Sequence, residues 1–180
     1  MTRARDAFWR AGYQATSLDQ ISAVTGLKRP SLYGAFGDKR AMFLAALRTY
    51  RLTNLARARQ LMSASPTLRQ ALAGVYAAAI DIYAPNSQGC LILNTAPSEA
   101  ETDPDVRDEL AAVTRDLDEV FAARVAAALV AGEIEPATDP QARGRLATAV
   151  LHSLSLRARG GARRAELETL AASAVDWLVR

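Results

Sequence analysis

A chain of 180 residues, half of them hydrophobic, is long enough for one domain or two small ones and can bury a core without disulfides or metals. Its single cysteine, Cys90, and single histidine, His152, exclude an intrachain disulfide, a Cys/His metal cluster and any catalytic arrangement that needs more than one of either. The net charge of +3 conceals an asymmetry: residues 1–60 hold eleven Lys and Arg against three Asp and Glu, and residues 61–180 hold eleven against sixteen, so a polyanionic partner is expected for the N-terminal third only.

Thr2 to Ala11 reads as a short helix with Ala7, Phe8 and Ala11 inward, and Gly12 ends it, since glycine accepts the positive φ that closes a helix. Arg3, Arg5 and Arg10 interrupt any apolar leader, and no window approaches about 18 uninterrupted apolar residues, so no membrane span and a cytoplasmic location are expected. Ser17 caps the second helix and Gln20 completes a capping box, with Thr16 as a competing cap. Leu18, Ile21 and Val24 form its buried stripe, Gly26 is the turn, and Leu27 is expected beneath it. The third helix runs from Lys28 to Phe36, with Pro30 in the first turn, where its missing N–H is not needed. Leu32 and Phe36 point inward, which displaces Arg29, Ser31 and Tyr33 to the outer surface. Gly37 stops this helix, Asp38 caps the next, and Lys39 stands in its first turn.

Two short helices about a glycine turn have the proportions of a helix-turn-helix. The N-terminal residues of its second helix meet base edges in the major groove, here Lys28, Arg29, Pro30 and Ser31. Lys28 and Arg29 suit guanine O6 and N7, and Pro30 offers an apolar surface to a thymine methyl.

Beyond Asp38 a long helix runs to about Met62, another spans Leu68–Tyr83, and Pro85 to Gly89 form a loop. Cys90 to Ala100 is ambiguous in period, but no partner strand exists, so it reads as helix. Asp103-Pro104 opens a helix to about Ala131, Asp139 caps one to about Arg159, and Ala162–Val179 is the last. The fold class is therefore all-α, with about nine helices: a head over residues 1–46 and a body over 47–180. In the final hairpin Leu146, Val150, Leu154, Leu167, Leu170, Ala174 and Leu178 are apolar at helical spacing. Either they pair with a second copy as a four-helix bundle, or they pack on their own domain.

The text from Phe8 to Phe43, FWRAGYQATSLDQISAVTGLKRPSLYGAFGDKRAMF, resembles the TetR/AcrR family of bacterial one-component regulators. Its aromatic-x-x-x-Gly-Tyr start, its T-S-L-x-x-I run, its A-x-x-x-G-L turn and its LY-x-x-F-x-x-K segment carry the likeness together. Gly89 to Leu110 is similar to the Gly-Cys-Leu segment of one branch. The resemblance implies a homodimer formed by the last two helices and a palindromic double-stranded DNA operator. It also implies a small-molecule effector held among the body helices, which releases a repressor from that operator. It implies phosphate contacts at Tyr33 and Lys39; Thr16 or Ser17 can add another from the start of the preceding helix. Family members commonly carry a basic arm before the aromatic at Phe8; here only Arg3 and Arg5 stand in for it. Candidate effector contacts are Tyr76, Ile80, Tyr83, Asn94 and Phe121, each with ordinary core as the competing role. Cys90, opening a helix, offers an alternative: a redox- or electrophile-responsive regulator. A non-specific architectural DNA binder would explain the charge but not the large acidic body. No catalytic constellation, metal site or cofactor motif is present, so an enzyme is not expected.

Overall fold

The computed structural model describes residues 2–180. Among them the order is α1 (Thr2–Ala15), α2 (Leu18–Thr25), α3 (Arg29–Phe36), α4 (Lys39–Ala64), α5 (Leu68–Tyr83), a 3-10 turn (Pro85–Ser87), α6 (Leu91–Glu99), α7 (Pro104–Val130), α8 (Pro140–Arg159) and α9 (Arg164–Leu178), with no strand. The all-α expectation holds, and α5 begins and ends where the sequence places it. Gly12 takes the positive φ of 79°, but one further turn, to Ala15, follows this kink. The Tyr13 ring holds that turn in place, packing 4.9 Å from Phe43. No described helix is long and apolar enough to cross a membrane.

The chain divides into two compact units. The first joins residues up to Thr53 with Leu91–Ala111. Its core is aromatic: Phe8 meets Phe43 edge-on at 5.2 Å and Trp9 meets Tyr50 at 5.0 Å. Ile21 from α2 and Leu32 from α3 are fully buried, which seats both short helices on that core. The second unit joins Asn54–Cys90 with Ala112–Arg180. There α5 packs against both α8 and α9. Gly144 lets α8 lie close to α7: a Cβ on it would stand 2.8 Å from the Ala122 nitrogen. Helices α4 and α7 are each divided between the units, at Thr53/Asn54 and Ala111/Ala112.

Candidate nucleic-acid interface

The start of α2 is fixed by short-range bonds. The Ser17 hydroxyl accepts from the Gln20 N–H at 3.1 Å, and the Gln20 side chain accepts from the Ser17 N–H at 2.7 Å. The adjacent Thr16 is turned inward; its hydroxyl donates to the Gly12 carbonyl at 2.6 Å. Of the two hydroxyls, only Ser17 faces solvent. Gly26 closes α2 in the left-handed conformation at φ 73°, the geometry a helix-turn-helix turn needs. Leu27, expected beneath the turn, is instead 42% exposed, and the buried apolar side chain of α2 is Ile21.

Lys28 is the N-cap of α3 and Pro30 lies in its first turn. With Leu32 buried, Lys28, Arg29, Pro30, Ser31 and Tyr33 are all exposed. This gives one rim of two cations, an apolar ring, a hydroxyl and a phenol, with the free N–H groups of a helix start behind them. Arg29 donates from Nε to Asp19 on α2 at 2.8 Å, and its guanidinium holds the Asp19 carboxyl below its ordinary range. Both partners are solvent-exposed, so this pair is inexpensive to exchange for DNA.

The Asp38 carboxylate accepts from the Ala41 N–H at 2.7 Å and caps α4. Lys39 is half-buried. Its Nζ stands 4.4 Å from the centre of the Tyr13 ring and donates to the Gln14 carbonyl at 3.4 Å, which aims it beside the end of α1. Arg3 donates to the Val24 carbonyl, and Arg5 is paired with Asp6 at 2.7 Å. The two basic side chains nearest the start thus lie on the unit itself.

Sequence reading missed what surrounds the arginines of α4. Arg40 donates to both Asp103 oxygens, at 2.6 and 2.7 Å, and to Asp105 at 2.6 Å. Arg48 and Arg51 each donate to Glu109, at 2.7 and 3.0 Å. Counted by unit, the first holds ten Lys and Arg against nine Asp and Glu. The basic excess of the N-terminal third is met by the acidic run from Glu99 to Glu109. Only a fold could reveal this, since Arg40 and Asp103 are 63 positions apart.

Of the body candidates, Tyr76, Ile80, Tyr83, Cys90 and Phe121 are buried in the second unit, whereas Asn94 belongs to the first and is half-buried. Tyr76 donates to the Ala147 carbonyl at 3.1 Å and its ring lies 6.2 Å from Phe121. Burial raises the Tyr83 hydroxyl well above its ordinary pKa, with a hydrogen bond to the Cys90 thiol adding to the rise. Cys90 is 4% exposed and its N–H donates to Ser155 at 2.8 Å, so a reagent reaches the thiol only if the unit opens. In the hairpin, Leu154, Leu167 and Leu178 are buried within the chain's own core. Leu146 is 61% exposed and Trp177 71%, while Val150, Leu170 and Ala174 are half-buried.

A capped helix, a left-handed glycine and a second short helix that offers its first turn to solvent define a helix-turn-helix DNA-binding regulator. Residues 1–46 match the family described as "Bacterial regulatory proteins, tetR family", and residues 65–174 match "Tetracyclin repressor-like, C-terminal domain". The chain belongs to the TetR family of transcriptional regulators. It is similar to the HTH-type transcriptional repressor ComR of Escherichia coli (strain K12), with 29% identity over 178 residues, 95% of this chain and 83% of that relative. It is also similar to a cysteine mutant of the TetR family regulator CifR solved with a 26-bp double-strand operator DNA. That likeness has a TM-score of 0.85 at 26% identity, covering 97% of this chain and 92% of the other. The fold alone is shared with FadR of Bacillus subtilis, solved with stearoyl-CoA: TM-score 0.80, 15% identity, 99% and 95% coverage.

Proposed function

We propose that the chain is a homodimeric repressor that binds a palindromic operator in the bacterial cytoplasm and leaves it when a small molecule binds the body. The observation that carries this is the exposed first turn of α3, seated by fully buried Leu32 and Ile21. Lys28, Arg29, Pro30 and Ser31 read bases; Tyr33, Lys39 and Ser17 hold phosphates. Residues 1–46 are the reading domain, and 47–180 sense and dimerise. The chain acts by binding, without catalysis.

The second copy docks on the exposed side of the hairpin, through Leu146, Val150, Leu170 and Ala174, with Trp177 at its end. Buried Leu154, Leu167 and Leu178 set the angle of the two helices from within. The effector lies among the helices of the second unit, with Tyr76, Ile80, Tyr83 and Phe121 as its contacts. Burial of Cys90 favours this over a thiol sensor.

Selection from random duplexes is expected to enrich an inverted repeat with half-sites about one helical turn apart. Enrichment of no sequence would favour an architectural binder and defeat the proposal.

A further inference from the structure

Lys39 and Arg40 are neighbouring cations in the first turn of α4. Their surroundings separate them. Lys39 touches an aromatic face and one backbone carbonyl. Arg40 has three of its N–H donors committed to Asp103 and Asp105. Further along α4, Arg48 and Arg51 share Glu109, whose side chain is only 8% exposed.

We propose, on the basis of the DNA-binding function above, that Arg40, Arg48 and Arg51 with Asp103, Asp105 and Glu109 form an acid–base clamp that positions α4 for operator binding, and that these arginines are positioning residues and not phosphate contacts. Residues 48 and 51 stand on successive turns of one helix face. Rotating α4, or sliding it by one turn of about 5.4 Å, would leave the buried Glu109 carboxylate without its donors. Arg40 adds a second anchor about 16 Å along the helix from Arg51. Two anchors on one rod fix both its rotation and its tilt against α7. The recognition helix ends at Phe36, three residues before α4 begins, so the direction of α4 sets where Lys28 to Tyr33 meet the groove. All six residues of the clamp lie within the first compact unit, the one that carries α2 and α3.

The sign of one effect separates positioning from contact. Neutralising acids beside a DNA-binding face ordinarily tightens binding to a polyanion. The clamp requires the opposite. The full chain, the D103N/D105N double variant, E109Q and R40D are titrated with the selected operator over a salt series, with circular dichroism melts alongside. D103N/D105N and E109Q are expected to bind roughly tenfold more weakly with an unchanged salt slope, within the usual range of coupling between sites. R40D loses binding, and D103R in the same chain recovers part of it. If E109Q does not fold, the more exposed D103N/D105N pair decides alone. Equal or tighter binding by D103N/D105N, with a steeper salt slope, would mean that released arginines reach phosphate and would overturn the clamp while leaving the function intact. A wild-type chain that selects no sequence would overturn the function itself, and the clamp with it.

Discussion

The outer face of α3 and the side of α4 whose arginines meet Asp103, Asp105 and Glu109 are both basic, yet Arg29 on the first and Arg51 on the second hold their charge in opposite ways. Arg29 on α3 pairs with Asp19, and both side chains are more than half exposed, at 54% and 72%. Arg51 on α4 pairs with Glu109, at 17% and 8%. In water an ion pair is worth about 0–1 kcal/mol, so Arg29 can trade Asp19 for a base edge at little cost. Out of water, an unpaired carboxylate is expensive, so Arg51 cannot leave. The first arrangement suits a reader and the second a support. Counting cations along the chain does not distinguish them.

Two changes probe this difference and a third serves as a control, from the largest effect down. Glu109→Ala should lower stability by about 2 kcal/mol, less than for a fully buried pair because Arg48 reaches solvent. For a chain of this size that is a fall in Tm of about 4–8 °C, read by thermal melting; an unchanged Tm would place Glu109 among surface pairs. Asp19→Asn removes one negative charge, as a change at Asp103 does, but from the reading face. It should tighten operator binding by up to about fivefold, since it costs only an exposed pair. Weaker binding would show that Asp19 orients Arg29. His152, in neither region, serves as a control. Burial lowers its pKa below 6.5, with Asp118 opposing. The folded state thus disfavours the proton: stability is full above about pH 6.5 and falls as pH drops from there through the depressed value. His152→Gln should flatten this loss in melts at pH 7.5 and 5.5; a variant that keeps the full pH dependence assigns it to another group.

Much of the reading head is legible in sequence because its signals are local. Ser17 with Gln20, Gly26, Pro30 and Asp38 each act within three or four residues, and each stands where the pattern places it. Spacing could not choose between Thr16 and Ser17, because Thr16 is claimed by the carbonyl of Gly12 after the kink. Nor could spacing tell which apolar side of α8 and α9 faces their own core, since Leu146 and Leu154 lie two turns apart on helices apolar on more than one side. The clamp was beyond reach for a different reason: charge has no period, and its partners are about sixty positions away.

Salt slopes of operator binding for Lys39→Ala and Arg40→Ala, measured side by side, test the distinction between reader and support most directly. Lys39→Ala should make the slope shallower by about 0.9, the value for one lost phosphate contact, on operator and random DNA alike. Arg40→Ala should weaken operator binding with the wild-type slope. Equal reductions of slope in the two variants would contradict the account, placing Arg40 on the DNA and leaving α4 without its anchor.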